Sequence, residues 1–486
     1  YYGHGSFVAS IAGGGIQIGS GYYSGIAPGA SIYSLRVLDD QGHGSSSAVI
    51  AALNWCVANK ASLNLKVVNL SLGARARDSY LTDPLCIAAR QAVAAGIVVV
   101  AAAGNDGKDA FGNKVYGGIH SPGIDPAVIT VGAANTFGTD QRSDDVVASY
   151  SSRGPTRSYY TDGNGVKHFD NLIKPDLLAP GNKLIGESST GTGSGFINRN
   201  NILNAYPALM AGKVDINELR MMYLSGTSVA APAVAGAAAL LLQANPNLTP
   251  ALVKSILMYT AQPLAGANML EQGAGMLNID GAARIAVQLK GNLPTNSGAQ
   301  MMTGAMPAAQ STIAGETFPW AQGVITNWGF LTGSELMTKW QPVYGAGIAL
   351  ADSTVYSKGV LSKVASMTTP AVKFVTSVMN VTKLGIALAD GIALADGIAL
   401  ADGIALADGI ALADGIVLAD GIALADGIAL ADGTVQAGSS MLGDDTKCML
   451  PQDALTSTSN LTAPLSLTTS SISIKSTSTT AKKPKI

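Results

Sequence analysis

Ser228, His4 and Asn105 stand far apart in this sequence, and each carries a group that could do chemistry. Ser228 lies in residues 224–242, LSGTSVAAPAVAGAAALLL, where Ser-Gly-Thr-Ser runs into a small, apolar, helix-length stretch. A nucleophilic serine needs an exposed hydroxyl, a base within reach, and N–H groups to hold the oxyanion formed at an attacked carbonyl. A helix start supplies those N–H groups. Gly226 allows a tight turn, and Ala230, Ala231, Ala233, Ala235 and Gly236 let the helix approach its neighbours closely. Pro232, taken as lying near the first turn, costs little there. The same stretch also reads as a buried Ala-rich helix with a polar N-cap. Its uninterrupted apolar run is shorter than the ~20 residues a bilayer needs, which argues against a membrane span.

His4 opens Gly3-His4-Gly5-Ser6, ahead of an apolar segment, 7–14, that reads as a helix ended by glycines. A lone histidine is more often structural than catalytic. Asn105 follows Ala101-Ala102-Ala103-Gly104 at the end of an apolar run, where its amide could meet an oxyanion, or could serve as a turn residue. The elements that must position these groups alternate. Residues 31–38 and 67–72 read as strands, 45–59 and 83–95 as helices, and 96–103 as a strand buried on both faces. Such βαβ units imply an α/β fold with a mostly parallel sheet and helices on both faces, with its site at the carboxyl ends of strands.

Composition bounds the rest. The 486 residues suffice for two or three domains, and a net charge of −2 with 13% charged residues gives no electrostatic footprint for nucleic acid. Cys56, Cys86 and Cys448 are too few and too scattered for a disulfide framework or a spaced zinc site. No Gly-x-Ser-x-Gly elbow supports an α/β-hydrolase esterase. His120 and His168 sit in polar, Gly-rich stretches and read as surface residues.

Together, GHGSFVASIAGG, NLSLG, VVVAAAGNDG and LSGTSVAAPAVAGAAALL resemble, in order and spacing, the subtilisin-like serine proteases. The pieces between agree, among them GIAPGASIYSLRVLDDQGHGS, YSSRGPT, IKPDLLAPG and NPNLTPALVKSILMYTA, so that the resemblance covers residues 1–290. It implies an endopeptidase acting on polypeptides bound in extended form. His4 would be the general base and then acid, Ser228 the nucleophile, and Asn105 with the Ser228 N–H the oxyanion donors. Gly42, His43 and Gly44 would pair with the substrate backbone, while Ser71, Leu72 and Gly73 with Ala102, Ala103 and Gly104 would wall the primary pocket. Small apolar walls suggest a large apolar side chain before the cut.

The sequence departs from the family at Ser6, Val229 and Ala233, none of which removes a catalytic group. The family order is Asp, His, Ser, yet three residues precede His4, and Asp39 and Asp40 fall in the substrate-strand loop. The expectation is therefore an orienting aspartate upstream of this sequence, a chain inactive or nearly so by itself, and a parent that is secreted or at the cell surface. No cofactor is expected; the family often binds structural calcium, but no ligand-spaced Asp/Asn cluster supports it here. The alternative is a non-catalytic surface protein built on a degenerate protease scaffold, with an esterase as a third class.

Residues 187–223 form a long connection, read either as a cleft rim or as a tolerated surface insertion. Residues 291–384 change composition, with Trp320, Trp328 and Trp340 as anchors for a packed unit of unassigned role. From 385 to 432 the chain repeats Gly-Ile-Ala-Leu-Ala-Asp, with Val417 the one substitution. A six-residue period with Asp-Gly turns does not suit a helix face and favours short stacked strands, a β-solenoid, as against a flexible array, with a spacer or surface-attachment role. Residues 433–486 include a Ser/Thr-rich tail expected to be disordered.

Overall fold

The structure, a computed structural model, describes residues 2–375 except 19–20, 189–199, 215–218, 328, 347–348, 351–353, 358–359 and 364–366, together with 434–436 and 443–444. The proposed solenoid of 385–432, the tail beyond 456, Cys448 and Trp328 therefore lie outside the described residues.

Four parallel strands form the centre, in the order Leu177–Pro180, Ile129–Asn135, Val98–Ala102, Val67–Leu70. Side chains alternate across a strand, so each strand of a covered sheet must be apolar on both faces. Val98, Val100 and Ala102 join the cluster of helix Thr227–Ala244, whereas Val99 and Ala101 pack with helices Ser46–Leu63 and Pro84–Ala94. This is the α/β arrangement with helices on both faces. Ser45 and Asp83 cap those two outer helices, accepting from Ala48 N and from Leu85 N and Cys86 N. Helix Thr227–Ala244 is apolar and long enough to cross a membrane, but most of it is buried in the core.

Residues 31–38 differ from the sequence reading. They form no strand; only Leu38 bridges to Gly44. A strand needs a partner, and the nearest sheet edge, Val67–Leu70, is separated from them by a cavity of about 800 Å³. Ile32 and Leu35 line one side of this trench, and Val68 and Leu70 the other.

The described parts of the connection 187–223, residues 187–188, 200–214 and 219–223, are packed into the fold. Leu184–Ser188 and Met210–Val214 flank Leu219–Leu224 in an antiparallel sheet. Ile202, Leu203, Leu209 and Met222 pack with Phe7 and Val229, so the connection clamps the starts of the His4 and Ser228 helices together. Farther along, Trp320 and Trp340 share one core with Leu252 and Ile256, and strands Gly323–Thr326, Gly329–Thr332 and Lys373–Val375 form a sheet there.

Candidate active site

Strand Leu219–Leu224 delivers the chain into the turn Ser225-Gly226, where Gly226 adopts φ 145° and donates its N–H to Gly181 O at 2.8 Å. That backbone region is open to glycine and strained for other residues. Thr227 then begins the helix. Its N–H donates to Asn105 Oδ1 at 2.9 Å, and its hydroxyl accepts from Gly104 N–H at 3.0 Å. The end of strand Val98–Ala102 is thereby locked to the helix start. With Oδ1 turned to Thr227, the donor end of the Asn105 amide points the other way.

His4 is the first residue of helix His4–Gly13. Gly3 ahead of it has φ 102°, and a Cβ there would lie 2.4 Å from the Asn200 amide, so glycine is required for the histidine to enter at this angle. His4 Nε2 lies 3.0 Å from Ser228 Oγ, across 224 residues of sequence. Both side chains are buried, and Ser228 has no solvent exposure. Burial pushes the His4 imidazole down to about 4, and no carboxylate among the described residues counters it.

The residues read as substrate-binding lie on three segments, and among them Ser71 touches Ser228 directly. Gly42, His43 and Gly44 lead through strand His43–Ser45. Ser71, Leu72 and Gly73 run into Ala74–Arg75, which pairs antiparallel with His120–Ser121. Ala103 is tied to both neighbours, donating to Val131 O and accepting from His120 N–H, each at 2.9 Å.

A serine hydroxyl, an imidazole and an asparagine amide thus meet at the carboxyl end of a parallel sheet, and the subtilase family model matches residues 1–281 of this chain. The chain belongs to the subtilase family. Serine protease AprX of Bacillus subtilis is 35% identical over 283 residues, covering 57% of each chain. The extracellular serine proteinase of a Thermus species is 35% identical over 264 residues, 54% of this chain and 46% of the relative. Among solved structures, fervidolysin from Fervidobacterium pennivorans aligns with 26% identity and a TM-score of 0.43, over 61% of this chain and 37% of its own. The chain spans about half the length of the curated relatives it matches.

Three features of this subtilase escape the sequence reading. First, Pro232 is the sixth residue of helix Thr227–Ala244 and not part of its first turn. Lacking an N–H, it cannot donate to the Ser228 carbonyl four residues back. Ser71 Oγ donates to that carbonyl at 2.6 Å instead, and itself accepts from Asn69 Nδ2 at 2.9 Å. Ser71 therefore supports the nucleophile through its side chain.

Second, His120 is not a surface residue. A Cβ on Gly73 would lie 3.1 Å from His120 Cβ, and one on Gly104 would lie 2.7 Å from its Cδ2, so the imidazole closes the space between the two pocket walls. Its Nε2 pairs with Asp106 Oδ2 at 2.8 Å, and Arg75 Nε approaches the same oxygen at 3.3 Å. Burial would raise the Asp106 carboxyl, but the hydrogen bond and charge of His120, with Arg75, hold it below the usual range. The space between segments 71–73 and 102–104 thus holds a polar pair, His120 and Asp106. His168 is half-buried, stacked on Tyr160 and paired with Asp162 at 3.0 Å.

Third, Asn69 lines the trench, and its Oδ1 is buried without a hydrogen-bond partner. Among the described residues, no group of three or more His, Cys, Asp or Glu is arranged to hold a metal ion.

Proposed function

We propose that this protein is the base-, nucleophile- and oxyanion-bearing part of a secreted serine endopeptidase. The observation that carries the reading is the 3.0 Å contact between His4 Nε2 and Ser228 Oγ, set at a helix start beside Asn105. Ser228 Oγ attacks the scissile carbonyl carbon while its proton passes to His4 Nε2. The oxyanion rests on the Ser228 N–H and the Asn105 amide, and His4 returns the proton to the leaving amine. Water repeats the cycle on the acyl-enzyme. Gly42, His43 and Gly44 pair with the extended substrate, and segments 71–73 and 102–104 wall the pocket that ends at His120. The relative named as an extracellular proteinase supports secretion.

No carboxylate among the described residues acts on His4, so the reading calls for an acid carried on a further segment. The outer edge of Val67–Leu70 has no strand partner among the described residues, Asn69 Oδ1 lacks a donor, and Gly5, next to His4, lines the same trench. An extended segment entering between 31–37 and 67–70 would pair both edges, and a carboxylate at its end would reach the imidazole. Without that segment, a base held near 4 accepts the serine proton poorly.

The test is fluorophosphonate labelling and peptide hydrolysis, with and without an acid-bearing strand supplied ahead of Tyr1. Labelling at Ser228 and hydrolysis only with the strand are expected. Ser228-dependent hydrolysis at full rate by the 486-residue chain would overturn the reading, as would labelling of a different serine.

A further inference from the structure

The edge strand assigned to substrate is already occupied. Thr434–Gln436 pairs antiparallel with His43–Ser45, in the register Thr434 with Ser45, Val435 with Gly44, Gln436 with His43. It also packs against Ala74–Arg75, the continuation of the 71–73 wall. The chain's own C-terminal segment thus lies where an extended polypeptide would add to the cleft.

A second anchor follows at Gly443 and Asp444. The Asp444 backbone is read on both sides by one side chain: its N–H donates to Asn182 Oδ1 at 2.8 Å, and its carbonyl accepts from Asn182 Nδ2 at 3.3 Å. Its carboxylate accepts from Ser149 N–H at 3.0 Å and from the Ser149 hydroxyl. Lys108 Nζ donates to that same hydroxyl at 2.9 Å, and Arg153 approaches from the other side through Ser149 O at 3.3 Å. This corner abuts the nucleophile turn, since a Cβ on Gly443 would lie 2.2 Å from Ser225 Oγ and Gly226 donates to Gly181 O. Seven Cα–Cα steps link Gln436 to Gly443, a reach of up to about 25 Å.

We propose that Thr434–Gln436 is a tethered inhibitor of the cleft, a pseudosubstrate strap held on His43–Ser45 by β-pairing and fixed farther along the chain where Asp444 enters the Asn182–Ser149 carboxylate corner. The proposal rests on the cleft assignment above. It also names a subsite: the corner takes an acidic residue in any polypeptide that crosses the cleft in the strap's direction. Tethering gives the strap an effective concentration in the millimolar range, which a free peptide must exceed to displace it.

The test uses the 486-residue chain and two variants, Asp444→Ala and the double substitution Thr434→Pro/Val435→Pro. Neighbouring N–H groups on a strand point to opposite edges, so one of the two prolines must remove a donor aimed at His43–Ser45. Amide hydrogen exchange at His43–Ser45 is measured, along with anisotropy of a fluorescein-labelled peptide spanning 434–446. Both variants are expected to exchange at least tenfold faster at His43–Ser45 and to bind the peptide at least tenfold more tightly than the parent chain. A parent that exchanges as fast as the variants, or binds the peptide equally well, overturns the strap. Neither readout requires hydrolysis, so a chain that shows both effects yet never cleaves peptide leaves the strap standing and strikes the endopeptidase reading alone.

Discussion

The two halves of the site are built to different standards. On the nucleophile side, helix Thr227–Ala244 is buried along most of its length, Thr227 is locked to Gly104 and Asn105, and the gap left by Pro232 is filled by the Ser71 hydroxyl. On the base side, helix His4–Gly13 borders a trench of about 800 Å³ through Gly5, Val8, Ala9, Ala12 and Gly13, and the His4 ring has Ser228 as its hydrogen-bond partner. The difference teaches that preorganisation here is local to each half. Asn105 and Ser228 are fixed by contacts within the described residues, whereas the proposed role of His4 as base calls for a further segment along the trench.

The largest effect should come from completing the weaker half. An extended apolar strand ending in aspartate, joined ahead of Tyr1 through a flexible linker, is expected to raise kcat/KM about 10⁴-fold, the size of loss seen when a triad acid is removed from serine proteases. That is about 5 kcal/mol of barrier. An aspartate-to-alanine version of the same strand should fill the trench without the gain. Equal rates for the two would show that packing, and not charge, is what the base lacks. On the stronger half, Asn105→Ala in the completed enzyme is expected to cost 10²–10³ in kcat with KM little changed, as for loss of one oxyanion donor. A rise in KM at constant kcat would place Asn105 outside the transition state.

How much of this was legible depends on what each residue answers to. The helix starts at His4 and Thr227 and the buried strand Val98–Ala102 follow from local pattern, because glycine entry points and alternating apolar faces are written in neighbouring residues. The strand expected at 31–38 failed because pairing depends on a partner far away in sequence, and the Val67–Leu70 edge lies across an empty trench. His120 looked like a loop histidine because Gly73, Gly104 and Asp106, which enclose it, are 47, 16 and 14 residues distant. Ser71 as a proxy for a missing N–H could have been suspected once Pro232 was counted from the helix start, since a proline at the sixth position always leaves a carbonyl wanting a donor.

The base half should also reveal itself through pH. In the unfolded chain the imidazole titrates near 6.5, while the buried His4 is pushed down to about 4. Between those values the unfolded state binds a proton that the folded state refuses, so His4 should lower stability as pH falls from 6.5 to 4 and have no effect above 6.5. The full loss is about 3 kcal/mol for a fully buried ring. Urea unfolding of the parent and of His4→Gln across this window checks it. The variant should lose that share of the pH dependence, and parallel curves would mean that His4 is not held neutral by the fold.

The smallest effect separates the halves by packing alone. Gly236 faces the base helix from the nucleophile helix, and a Cβ there would lie 2.6 Å from Ile26 Cβ and 2.9 Å from Ala12 O. The second of these is backbone, which cannot swing aside, so Gly236→Ala should destabilise by about 1–3 kcal/mol, the usual cost of overpacking. Ala9 and Ala52 line the trench, where added methyl groups meet empty space. Ala9→Val or Ala52→Leu should therefore be neutral or stabilising by about 1 kcal/mol, as cavity filling commonly is. The opposite signs would be read as shifts in the urea midpoint at constant slope. If the trench substitutions instead destabilise as much as Gly236→Ala, the trench closes in solution. The base half would then already be packed, and no strand would be needed to complete it.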